Sequence, residues 1–106
     1  MNANRDADRW GALADGTRLA IVACLADGLR PVGQLAAGLP VTRSAVSQHL
    51  KILKGARLVE DVAAGTRRIY RLNPAALAAL RDQLDTYWRR ALAGYADAAE
   101  APTEEG

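Results

Sequence analysis

The stretch Val41-Thr42-Arg43-Ser44-Ala45-Val46-Ser47-Gln48-His49-Leu50-Lys51-Ile52-Leu53-Lys54-Gly55-Ala56 decides how the rest of this chain is read. Thr42 is a good helix N-cap, because its hydroxyl accepts a hydrogen bond from a free amide of the first turn. Val46, Leu50, Leu53 and Arg57 recur at three- and four-residue spacing and so share one side of a helix. The other side carries Ser44, Ser47, Gln48 and Lys51, with Arg43 and Lys54 on its flanks. Short hydrogen-bonding groups ringed by cations suit the base edges of a major groove. The reading is a DNA recognition helix; a solvated helix face is the plain alternative.

Working outward on the N-terminal side, Val32 to Ala37 has the pattern of a short helix beginning just after Pro31. Gly38-Leu39-Pro40 closes it, since Gly suits a helix end and Pro cannot extend one. Helix, tight turn and a polar-faced second helix make a helix-turn-helix. Charge supports the same reading. Residues 42–72 carry Arg43, Lys51, Lys54, Arg57, Arg67, Arg68 and Arg71 against Glu60 and Asp61, a balance of +5. Residues 1–41 sum to zero and residues 73–106 to −3. Basic charge concentrated on the reading segment is what phosphate binding requires.

On the C-terminal side the period changes. Leu58 to Val62 and Arg67 to Leu72 read as strands, with Val, Ile and Tyr in partial alternation. Ala63-Ala64-Gly65-Thr66 is the hairpin tip, where Gly65 can take positive φ. A hairpin directly after a recognition helix is a wing, with Arg67 and Arg68 rising from its base toward the DNA backbone or minor groove. Pro74 then opens a last helix behind the cap Asn73. Leu77, Leu80, Leu84, Trp88 (with Tyr87), Leu92 and Tyr95 form an apolar stripe about five turns long. A domain of this size has little left to cover such a stripe, which would be a liability if exposed. The expectation is a symmetric homodimer through this helix and the first one, with Trp10, Leu13, Leu80, Leu84, Tyr87, Trp88 and Leu92 at the interface. The alternative is a helix folded back over its own core.

The first helix is expected over Asp6 to Ala14, and a second over Gly16 to Ala26, capped by Asp15. Leu19, Val22 (with Ile21) and Leu25 are its contributions to the core. Arg30-Pro31-Val32 is an extended connection. Residues 1–5 and 101–106 are expected to be disordered. At 106 residues the chain is one domain, mostly α with a small β-hairpin: helix-turn-helix over about 32–56, wing over about 58–72, dimerisation helix over about 74–99. Half of the residues are hydrophobic and 25% charged, the balance of a globular protein. No apolar run suits a bilayer and no signal peptide is evident, so a cytoplasmic location and no membrane partner are expected. The single Cys24 forms no internal disulfide and reads as a small core residue in mid-helix.

These residues resemble the ArsR/SmtB winged-helix repressors. Ala12 to Ile21 (Ala-Leu-Ala-Asp-Gly-Thr-Arg-Leu-Ala-Ile) is similar to that family's opening signature. Ser44 to Leu53, with Ala56-Arg57-Leu58-Val59, resembles its recognition helix and the strand after it, and Gly65 to Leu72 resembles its wing. The match runs in order from about Ala12 to Leu92. It implies a dimeric bacterial repressor that binds a palindromic operator, often at its own promoter, and releases it on a signal. Two departures stand out. Gly16 replaces the family's common Pro, and Val32-Gly33-Gln34-Leu35-Ala36 lacks the paired cysteines through which many members sense metals. The last helix offers Asp82, Asp85 and Asp97 but no His, whereas a transition-metal site wants about four ligands, mostly N or S donors. No metal or other cofactor is expected.

The expected base readers are Ser44, Ser47, Gln48 and Lys51. Thr42, Arg43, His49, Lys54, Thr66, Arg67 and Arg68 are the expected backbone or wing contacts, with a packed structural role open for His49. No catalytic constellation is present: there is no Gly-rich phosphate loop, no metal cluster and no credible triad. The function expected is a sequence-specific, dimeric transcriptional repressor on an inverted repeat in double-stranded DNA, not metal-responsive. Its signal is open between a small molecule, a redox change and none. The alternative is a winged-helix module for protein partners or for nonspecific DNA binding.

Overall fold

Three helix starts are set by side chains that the sequence supplies at the right place. Asp15 Oδ1 accepts from the Arg18 amide at 3.0 Å. Thr42 Oγ1 accepts from the Ala45 amide at 3.1 Å, and Asn73 Oδ1 from the Ala75 amide at 3.1 Å. Each bond satisfies a donor that the first helical turn leaves without a partner. The computed structural model describes residues 2–28 and 30–100. Its elements are α1 (Asn2–Leu13), α2 (Gly16–Leu25), β1 (Arg30–Pro31), α3 (Val32–Ala37), α4 (Arg43–Gly55), β2 (Val59–Ala64), β3 (Arg67–Leu72) and α5 (Pro74–Glu100). Helix α1 begins at Asn2, ahead of the expected Asp6, since no Gly or Pro stands before Gly11 to stop it. The expected C-terminal tail, residues 101–106, lies outside the described residues.

The end of α4 differs from the sequence pattern. Arg57, expected on the apolar side of the helix, lies beyond its end with φ +64°. The Arg57 amide donates to the Lys54 carbonyl and the Leu58 amide to the Leu53 carbonyl, both at 3.0 Å. That pair of bonds, with Leu53 and Leu58 both fully buried, is a Schellman cap. Asn73 locks it from outside, its Nδ2 donating to the Arg57 carbonyl at 3.0 Å. A non-glycine residue in the left-handed region costs about 1–2 kcal/mol, and the freedom glycine adds to the unfolded chain returns roughly half of that. The variant Arg57→Gly is therefore expected to gain about 0.5–1 kcal/mol, a Tm rise of a few degrees for a domain of this size. Thermal melts check it: an unchanged or lower Tm would mean that the Arg57 side chain offsets the strain through contacts of its own.

The sheet has the order β1-β3-β2, all antiparallel. The connection before α3 is thus a short edge strand, Arg30 opposite Tyr70 and Pro31 opposite Ile69. In the wing, Ala64 pairs with Arg67, which shortens the expected tip to Gly65-Thr66, with Gly65 at φ +66°. Positive φ at the first loop position suits a two-residue hairpin. Leu58 belongs to the cap and not to the strand. Arg67 and Arg68 follow directly on the turn, so they sit at the wing's tip and not at its base.

The core is built from Ile21 and Leu25 of α2, Leu35 of α3, Val46, Leu50 and Leu53 of α4, and Leu58 and Val59, with Ala12, Ala56, Ala76 and Leu80 around them. Leu19, expected in this core, is 53% exposed. It lies two residues, or about 200° of helical rotation, from the wholly buried Ile21. Val22 and Cys24 are half-buried against the core. From α5, Leu77 and Leu80 pack inward. Beyond them Leu84, Tyr87, Trp88, Leu92 and Tyr95 are exposed. The protomer measures 68 × 29 × 23 Å with a radius of gyration of 18.6 Å, against about 13 Å for a compact domain of this length. The far half of α5 does not fold back over its own core.

Candidate nucleic-acid interface

The three core residues of α4 fix which of its side chains face outward. With Val46, Leu50 and Leu53 buried, Arg43, Ser44, Ser47, Gln48, Lys51 and Lys54 are all exposed. Helical geometry divides them further. Ser44, Gln48 and Lys51 lie opposite the core, while Arg43, Ser47 and Lys54 turn toward the wing. A cleft of about 570 Å³ lies between α3, α4 and the wing, and its lining includes Arg43, Ser47, Thr66, Arg67 and Arg68. Five residues expected from sequence to meet DNA thus surround one concavity, although the two groups are about twenty residues apart in the chain. Gln34 of α3 and Tyr70 of β3 also line it. The helix pattern of α4 and the charges of the wing do not point to them; a polar Gln34 in an otherwise apolar short helix is the one signal the sequence carries.

Besides Thr42, whose hydroxyl oxygen caps α4, three of the expected backbone contacts are already engaged within the protomer. His49 has a side chain only 21% exposed. Its Nδ1 stands 3.3 Å from Arg18 Nη1 and 3.9 Å from Asp15 Oδ1. With Nδ1 unprotonated it accepts from Arg18, whose Nε in turn donates to the Ala12 carbonyl at 2.7 Å. His49 therefore ties the recognition helix to the corner between α1 and α2. The hydrogen bond from the Arg18 amide, with the Arg18 guanidinium beside it, holds the Asp15 carboxyl below the ordinary carboxylate range. Lys54 Nζ and Arg68 Nη1 each lie 2.8 Å from a different oxygen of Asp61, whose side chain is 8% exposed. The Lys54 ammonium first, then Arg68, lowers the Asp61 pKa. On the wing's other face Arg71 pairs with Glu60 at 2.9 Å, directly across the strands. Among the described residues of 42–72, Arg43, Lys51, Arg57 and Arg67 are the cations outside these pairs.

At the other end of the molecule Trp10 Nε1 donates to Gln83 Oε1, fastening α1 to α5. Leu13 is half-buried and Leu80 retains 6% of its surface, so Leu80, expected at an interface, belongs to the protomer's own core. Trp10, Leu84, Tyr87, Trp88 and Leu92 remain open. Among the described residues no group of three or more His, Cys, Asp or Glu comes together, and no helix is long and apolar enough to cross a membrane.

A family model described as "Bacterial regulatory protein, arsR family" matches residues 15–61, from the Asp15 cap to the Asp61 carboxylate. Over 97 residues the chain is 64% identical to the HTH-type transcriptional regulator Rv2034 of Mycobacterium tuberculosis, covering 91% of each chain. The chain belongs to the arsR family. It is accordingly a DNA-binding transcriptional regulator and not an enzyme, as its resemblance implied. Among relatives of this arsR-family protein, the HTH-type transcriptional regulator CmtR of Mycobacterium bovis is 48% identical over 67 residues, 63% of this chain and 57% of that one. An ArsR-like transcriptional regulator from Rhodococcus superposes with a TM-score of 0.76 at 32% identity, covering 95% of this chain and 98% of the other. The homodimeric winged helix-turn-helix domain of Mb0332 from Mycobacterium bovis superposes at 0.69 and 32% identity, over 85% and 83% of the two chains. The winged helix-turn-helix expected from the sequence is the observed fold.

Proposed function

We propose that this arsR-family protein is a homodimeric repressor that occupies an inverted-repeat operator and responds to something other than a metal. The observation that carries the reading is the pairing of two surfaces on one elongated protomer. At one end, recognition helix and wing line one basic cleft. At the other, Leu84, Tyr87, Trp88 and Leu92 are uncovered along a helix that stands away from the core. An isologous contact along that face buries it and presents two recognition helices related by a two-fold axis. Two such helices fit half-sites of a palindrome in successive major grooves. Trp10, brought to α5 through Gln83, extends the same face. The solved homodimer of Mb0332 supports this assembly by analogy. A metal signal is disfavoured by the ligands available: one Cys, one His, and no acid-rich group near either among the described residues.

In this reading Ser44, Ser47, Gln48 and Lys51 read bases, with Gln48 suited to a bidentate contact with adenine. Thr42, Arg43, Thr66 and Arg67 hold phosphates and place the reader in its groove. Repression follows from occupancy, since a dimer seated on a promoter excludes other proteins from it. The two classes separate by substitution. Gln48→Ala is expected to cost about 1–3 kcal/mol on the operator and to relax base preference at one position of each half-site. Arg67→Gln is expected instead to weaken operator and random duplex about equally and to lower the salt slope by about 1. Titrations of both variants across a salt series check the division; equal behaviour of the two would contradict it.

A further inference from the structure

The cations of the recognition helix and the wing are not all available to DNA. Lys54 leaves the last turn of α4, and Arg68 stands on β3, diagonal to Asp61 across the β2–β3 ladder, in which Asp61 faces Tyr70 and Arg68 faces Ala63. Both reach one carboxylate, one on each oxygen, at 2.8 Å. Lys54 and Arg68 keep more than half of their side-chain surface, while Asp61 keeps 8%. The acid is thus the covered member of the cluster and the two cations the open ones. Ionised donors and acceptors at that distance form the stronger class of hydrogen bond. A cation that left for a phosphate would give up one such bond to Asp61, so the carboxylate competes with phosphate for it.

We propose that Asp61 occupies Lys54 and Arg68 as an internal substitute for phosphate, and so limits the sequence-independent part of DNA binding. The inference rests on the DNA-reading assignment of α4 and the wing. Counterion release makes every engaged phosphate add to affinity for any duplex, operator or not. Withholding two cations lowers this electrostatic term, which operator and bulk DNA share, and leaves the base readers untouched, so discrimination is left to them. The same clasp ties the wing to the recognition helix, which places Arg67 beside Arg43 and Ser47 in the cleft.

The test measures affinity for a short duplex of random sequence against salt concentration, using the full chain. Asp61→Asn keeps the shape of the side chain and removes its charge. Its plot of log affinity against log salt is expected to steepen by about 1–2, near 0.9 for each cation released to phosphate, with affinity at low salt rising roughly threefold to tenfold. The triple variant Asp61→Asn/Lys54→Gln/Arg68→Gln is expected to return to the wild-type slope. Lys54→Gln in the native background, which leaves Asp61 paired with Arg68, is expected to leave that slope unchanged, and this arm stands even if Asp61→Asn folds poorly. An Asp61→Asn slope equal to wild type, or a Lys54→Gln variant whose slope falls by about 1, overturns the proposal. Failure of the DNA-reading assignment looks different: the wild type itself would show no salt-dependent binding, and the proposal would fall with it.

Discussion

Placing two carboxylates on the α5 face, as Leu84→Glu with Trp88→Glu, is expected to give a folded monomer with operator affinity at least about 100-fold below wild type. The fold should survive because neither side chain serves the protomer's own core: Leu84 is 57% and Trp88 61% exposed. The core contribution of α5 comes from Ala76, Leu77 and Leu80, a turn or more nearer its N-terminus. The assembly should not survive. On a two-fold axis each substitution appears twice, so four new charges would be desolvated where Trp and Leu surfaces met. Loss of the second half-site then removes the tethered contact, which is worth about 10²–10⁴ in avidity. Sedimentation reads the first effect and operator titration the second. A variant that still sedimented as a dimer would take Leu84 and Trp88 out of the interface.

A second large effect is expected at the junction of recognition helix and wing. Leu53 is wholly buried, and its carbonyl receives the Leu58 amide that closes the α4 cap. Leu53→Ala removes apolar volume where the surrounding elements cannot easily collapse, a loss of about 2–5 kcal/mol. Total stability for a small domain is about 5–15 kcal/mol, so this is a large share of it. The cap and the buried Leu58 lose their packing partner together, and the wing's angle to α4 depends on both. Denaturant unfolding should show a lower midpoint at an unchanged slope. A loss under about 1 kcal/mol would show that the junction closes over the gap. The two variants separate the two ends of the molecule: one dissociates without unfolding, the other unfolds more easily whatever its assembly.

What could be read from sequence follows the reach of each signal. Thr42, Asp15 and Asn73 announced helix starts because a cap acts over two or three residues. The recognition helix was legible because its two faces differ in every turn. Arg57 was misplaced because three-residue spacing continues past a helix end, and a left-handed cap usually advertises itself by Gly, not Arg. The wing's register needed the two-residue turn; only then does Asp61 come within reach of Arg68, and Glu60 opposite Arg71. Summed charge over residues 42–72 therefore gave the right sign for the surface while hiding that Lys54, Arg68 and Arg71 are internally paired. His49 was ambiguous for a related reason: its partners Arg18 and Asp15 lie more than thirty positions earlier. The apolar stripe of α5 showed a buried face, but only the fold divides it between the protomer's core, at Leu80, and the open surface from Leu84 onward.

The most direct test of the central claim is selection of genomic fragments by the purified full chain, repeated over a salt series. Recovery of an inverted repeat with half-sites about one helical turn apart, bound with affinity that falls steeply as salt rises, is the predicted result. Salt-sensitive binding that enriches no sequence, or a single half-site bound as well as the pair, would contradict a dimeric reader of an operator.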